Sequence, residues 1–387
     1  MPFYVKRGEL PDKRHIQFRD SAGKLYTEHH MSREGFSDIY SNLYHIHPPT
    51  VITRVNEFKP LTLTPSEDSA HRHRHFKTSA SQPEGDWIFS RNPLLFNKDV
   101  LISVAVPHKE ASVFYRNGVC DELIFVHEGK GVLETQFGNL SFSEGDYLVV
   151  PAGITCRLVH QSDYLRLLIV EAYGPVKTPN RYRNNHGQLL EHAPFCERDI
   201  RVPEFRQPID EKGEFPLVVR TRSGWQSYTL GYHPFDVVGW DGFYFPWALN
   251  IKDFMPIVGK VHQPPPVHQT FSGPNFVVCS FVPRLFDFHE QAVPIPYHHS
   301  NVDSDEVIYY VEGNFMSRRG IEKGSITLHP EGIPHGPQPG LAEPSLEKKE
   351  TAEYAVMVDT FFPLTCTRDS DEVDDKQYPF SWIPENY

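Results

Sequence analysis

Basic residues are in short supply. Lys and Arg number 38 against 50 Asp and Glu, a formal charge of −12 over 387 residues. That excludes a sequence-independent grip on nucleic acid or on an anionic membrane, since both need a basic surface. Cysteine is scarce too. Cys120, Cys156, Cys196, Cys279 and Cys366 are odd in number, far apart and never arranged as C-x-x-C, so neither a thiolate zinc site nor a disulfide framework is signalled. No run approaches the ~18 apolar residues of a membrane span. The opening MPFYVKRGEL lacks the apolar stretch of a signal peptide, and the expectation is a cytoplasmic protein. Long helices are excluded by punctuation: 34 prolines and 25 glycines interrupt the chain, favouring short strands joined by turns.

What is present is period-two alternation, in two places. Residues 121–158, DELIFVHEGKGVLETQFGNLSFSEGDYLVVPAGITCRL, read as an antiparallel meander, and residues 305–337 read the same way. The two overlay. In the first, Glu122 is followed after seven residues by Gly129, and Gly145 by Pro151, Gly153 and Cys156 at offsets of six, eight and eleven. In the second, Glu306 precedes Gly313 by seven, and Gly324 precedes Pro330, Gly332 and His335 at the same three offsets. Six matched positions make an internal repeat, and the predicted fold is all-β, two similar barrels or sandwiches in one chain. The spacing resembles the cupin signature, His-x-His-x4-Glu-x6-Gly followed by Gly-x5-Pro-x-Gly-x2-His.

The repeats differ where cupins place ligands. The first holds Tyr115, Asn117 and Cys156 in the three histidine positions, with only Glu122 retained; one carboxylate and a thiol make a poor metal site, so this barrel is expected to be metal-free. The second holds His299, Asn301, Glu306 and His335. Two imidazoles and a carboxylate are the donor set that holds non-haem Fe(II) with open positions for substrate and O₂, although zinc accepts the same donors. The expected division is residues 1–230, an N-terminal extension plus the metal-free barrel, and 231–387, a catalytic barrel and tail.

The tracts FDVVGWDGFYFPWALNIKDFMPI (235–257), PYHHSN (296–301) and LHPEGIPHGP (328–337) resemble homogentisate 1,2-dioxygenase over roughly residues 231–340. The likeness is weaker but collinear over the N-terminal half, at NLYHIHPP and QFGNL. It implies a bicupin with an inert first barrel and iron on His299, Glu306 and His335. It also implies a catalytic histidine at His262, with His268 the fallback, and opening of the homogentisate ring by O₂ to give maleylacetoacetate in tyrosine and phenylalanine catabolism. His329, Phe315, Tyr297 and His335 fall where substrate is met, and Tyr297 and His298 where His299 is oriented. A small aromatic acid and O₂ are the expected partners, and a trimer or hexamer the expected assembly.

Two departures from that pattern matter. His299 and Glu306 are seven apart where the family has six, which sets Asp305 against Glu306 as the carboxylate; strand register favours Glu306. Phe315 stands where the family has a substrate-binding tyrosine, which opens the alternative of a cupin dioxygenase for another hydroxylated aromatic acid such as gentisate. A non-enzymatic bicupin binding protein is the remaining alternative. Arg284, Arg318 and Arg319 are candidates to hold the substrate carboxylate. The HRHRH segment at 71–75 is expected to be a solvated loop or strand, 174–216 a linker or surface excursion, and the tail after Thr367 to lie on the surface or on a neighbouring subunit.

Overall fold

The computed structural model describes residues 3–384 except 314, 316, 317 and 319. It is almost wholly β. Among the described residues the α-helix is the four-residue Ala342–Ser345, and no helix is long and apolar enough to cross a membrane.

The overlay of the two sequence repeats holds in three dimensions. In the first barrel the strands Asp146–Val150, Asp121–Glu128, Arg166–Ala172 and Val100–Ala105 lie side by side in that order, all antiparallel. In the second, Ile326–His329, Asp305–Glu312, Tyr354–Thr360 and Phe276–Phe281 repeat the order. Register repeats as well. Glu122 is paired with Glu171 in the first ladder and Glu306 with Asp359 in the second. On the facing side Tyr115 is paired with Cys156, and His299 with His335. Glycine sets the turns: Gly129 and Gly313 have φ of +94° and +115°, and a Cβ on Gly313 would lie 2.9 Å from the Glu353 backbone.

The expected boundary at 230/231 does not separate the sheets. Trp247–Asn250 pairs with Asp146–Val150, and Val237–Gly242 with Tyr40–His45, so residues after 231 complete sheets of the first half. In return Arg74–Phe76 adds an edge strand to Ile326–His329 in the second barrel, and Thr365–Cys366 pairs with Asn92–Phe96. These exchanges cover backbone edges that would otherwise be unpaired. One apolar cluster runs through both halves, from Leu123 and Ile169 to Ile326 and Val356. The stretch 174–216 is more than a linker, because Val176, Tyr182, Leu189, Phe195 and Ile200 are buried in that same cluster.

Candidate metal centre

Successive side chains of a strand point to opposite faces, so the Asp305–Glu312 strand can offer one of its first two carboxylates to the barrel interior. It offers Glu306. Asp305 points away, accepting the backbone N–H of Glu331 at 2.8 Å and of Leu364 at 2.6 Å, and so ties two loops to the strand. His299 and His335 arrive from the facing side as a backbone pair, each N–H donating to the other's carbonyl at 2.8 Å. That pairing sets their rings side by side, with centroids 4.2 Å apart. The turn before His335 is held by the Gly332 N–H on the Asn301 carbonyl at 2.6 Å. Gly336 leaves no room for a side chain, because His298 packs against its Cα.

His299, Glu306 and His335 converge. One donor atom from each lies within 4.8 Å of the others. Glu306 Oε2 is 3.7 Å from His299 Nε2, and Oε1 is 3.3 Å from His335 Nε2. A further imidazole joins them: His329 Nδ1 lies 2.7 Å from Glu306 Oε1, and its ring stacks on that of His335 at 4.5 Å. Burial opposes charge on Glu306, but the close imidazoles of His299, His329 and His335 outweigh it and hold the carboxyl well below the usual carboxylate range. The bond to Glu306 also raises His299, while burial drives His329 down to about 3.

Three buried atoms here are poorly served. Neither ring nitrogen of His335 is aligned on a hydrogen-bond partner among the described residues, and the same is true of Asp359 Oδ1. Burial, with Glu306 beside it, pushes the Asp359 carboxyl well above its usual range. Unpaired buried groups are costly, and an arrangement of three donors around such atoms suits a divalent cation. The donor set, two imidazoles and one carboxylate, fits iron or zinc.

Of the other expected site residues, some lie close. Phe315 is buried edge-to-face on Tyr310 at 4.6 Å. Tyr297 is exposed at the rim, its ring 6.0 Å from that of His299. His262 is one ring further out, 5.3 Å from Tyr297, with Nδ1 2.8 Å from Asp287 Oδ2. The structure therefore does not bring it into the trio itself. His268 is buried against Phe281, driven down to about 3 by desolvation, and reaches none of the three. Arg318 lies over Trp382 and donates to the Gly336 carbonyl, beside the trio. Arg284 instead bonds the Val282 carbonyl, with Glu353 and Asp287 as its nearest charges. Arg319 lies outside the described residues.

Sequence reasoning missed one wall of the site. HRHRH is not a solvated segment: His73, Arg74 and His75 are buried. Burial is possible because Asp374 neutralises Arg72 at 2.6 Å and Arg74 at 2.7 Å. The freed face of the segment puts His73 against His329, His335 and Trp382, with Nε2 3.1 Å from the Pro334 carbonyl. The tail likewise does more than lie on the surface. It carries Tyr378 into the interior, its hydroxyl 3.2 Å from His329 Nε2. The signal was charge complementarity between a basic segment and an acidic one some 300 residues apart.

Two β-barrels of matching strand order in one chain, the later gathering three side chains that could hold a metal ion, define a bicupin. Comparison with known proteins makes the class more particular. A family model described as the N-terminal region of homogentisate 1,2-dioxygenase matches residues 100–251. A provisionally named dioxygenase of Saccharolobus solfataricus is 44% identical over 385 residues, 99% of each chain. Homogentisate 1,2-dioxygenases of Caenorhabditis elegans and Nitrobacter hamburgensis are each 28% identical; the matches take in 56% and 64% of this chain and 50% and 57% of theirs. The chain thus spans about half the length of those relatives. Among solved structures, a cupin 2 conserved barrel domain protein from Leptotrichia buccalis covers 76% of this chain and 98% of its own, with a TM-score of 0.38 and 10% identity, too loose a likeness to carry weight. The chain belongs to the homogentisate 1,2-dioxygenase family.

Proposed function

We propose that the protein is an Fe(II)-dependent dioxygenase that opens the ring of homogentisate with O₂ to give maleylacetoacetate. The observation that carries this reading is the convergence of His299, Glu306 and His335 on one space, where the His335 nitrogens and Asp359 Oδ1 have no aligned hydrogen-bond partner among the described residues. Iron bound there would supply the redox chemistry and Lewis acidity that ring opening needs.

The chain's own residues supply the rest. A phenol with a pKa near 10 is roughly three units uphill at pH 7, about 4 kcal/mol. His262 suits removal of that proton: with Nδ1 donating to the Asp287 carboxylate, Nε2 is the acceptor. Its ring is more than half exposed, so the proton passes on to water. Tyr297 stands between His262 and His299 as a rim that orients an aromatic ring. Arg318, close enough to interact electrostatically with Glu306, is the candidate to hold the substrate carboxylate.

Phe315, buried and without a hydroxyl, favours a second reading, a related hydroxylated aromatic acid such as gentisate. Oxygen uptake after anaerobic Fe(II) reconstitution, with homogentisate and gentisate side by side, separates the two. Turnover of gentisate alone selects the second reading. Turnover of neither, with iron bound, removes both.

A further inference from the structure

The tail that carries Tyr378 is fastened before it reaches the site. Lys77 N–H donates to the Val373 carbonyl at 2.8 Å and Asp375 N–H to the His75 carbonyl at 2.7 Å. Asp374, with no exposed side-chain surface, takes Arg72, Arg74 and Lys376. The next turn, Tyr378–Trp382, is seated by Trp382 Nε1 on the Gly336 carbonyl at 3.0 Å and by its ring on His73. Tyr378 is left buried, its ring between His75 and Trp382 and its hydroxyl directed at His329 Nε2.

The hydrogen bonds then fix where the proton on His329 sits. Glu306 is the acceptor facing Nδ1, so the ring proton lies on Nδ1. Nε2 is then a bare acceptor in a buried place, and the atom facing it is the Tyr378 hydroxyl. We infer that Tyr378 is a positioning residue for Glu306: by donating to His329 Nε2 it holds the imidazole in the tautomer and orientation that donate to the carboxylate. The inference rests on the metal-site reading only for its consequence, because an outer hydrogen bond of this kind orients a ligand and raises its affinity for metal. Without the hydroxyl, the proton can move to Nε2 and the ring can turn off Glu306.

Tyr378→Phe removes one oxygen and keeps the ring that packs on His75 and Trp382. In the metal-free protein labelled with ¹⁵N-histidine, the His329 nitrogen shifts should report the Nδ1–H form in the wild type and a mixture in Y378F. Anaerobic titration with Co(II) should show affinity falling roughly tenfold or more in Y378F, with a changed visible spectrum. In a His329→Gln background the same substitution should add nothing, since its effect runs through that ring. Unaltered His329 shifts in Y378F overturn the inference, and so does a loss of affinity that is the same in both backgrounds. A wild type with the Nδ1–H signature that takes no Co(II) overturns the metal-site reading instead and leaves Tyr378 in its role.

Discussion

The two barrels bury the same pair of acids and neutralise them in different ways. In the first, Glu122 and Glu171 face each other across the ladder with Arg91 between them, NH1 2.6 Å from Glu122 and 3.7 Å from Glu171. Tyr115 and Asn117 also donate to Glu122, and Arg220 to Glu171. The guanidinium of Arg91 is stacked on Trp87 and Tyr115 at 5.0 and 5.3 Å. Burial pushes the thiol of Cys156, which stands where the second barrel has His335, far up, so it remains a thiol and not a thiolate. In the second barrel, Glu306 and Asp359 occupy the same registers, but imidazoles stand beside Glu306 and Asp359 Oδ1 has no partner among the described residues. One barrel carries its cation covalently. The other gathers three donors that could hold a metal ion.

The largest break in this comparison is at the ligands. His335→Ala or Glu306→Gln should abolish Fe(II) loading and oxygen uptake, a loss beyond the roughly 100-fold typical of an outer contact, measured by metal content and an oxygen electrode. Next is the covalent cation. Arg91→Met leaves the buried Glu122 without its cation, with Arg220 still on Glu171, and should cost about 3–5 kcal/mol in denaturant unfolding, while folded protein still binds metal in the second barrel. His262→Ala should keep iron and lose about 10²–10⁴ in rate; equal loss of iron would move His262 into the ligand set. The smallest effect concerns the clasp at Asp374. Burial opposes its charge, but Arg72 and Lys376 outweigh burial and depress the carboxyl. A depressed carboxyl contributes stability above its unfolded pKa, about 3.9, and loses it as pH falls through the lower folded value. The fluorescence difference between wild type and Trp382→Phe should hold above about pH 4 and decline below it.

Local spacing carried much of this molecule. The offsets shared by Glu122 and Glu306 held both register and strand order, and they chose Glu306 over Asp305 although the interval from His299 argued the other way. The trio was readable for the same reason: one strand residue and a facing backbone pair, all at the repeat's signature positions. Arg91 was not, because it comes from outside the repeat, 31 positions before the acid it neutralises. His73 and Tyr378 were not, because they come from opposite ends of the sequence and are brought together by long-range contacts centred on Asp374. The division at 230/231 failed to describe the sheets because strand exchange leaves no signature in composition.

That exchange also bears on how the polypeptide is made. Phe76 leaves the ribosome about 250 positions ahead of Ile326, its ladder partner, an interval of roughly tens of seconds at ordinary translation rates. Until then the Arg74–Phe76 strand has no ladder to join, so the second barrel is completed by a piece synthesised long before it.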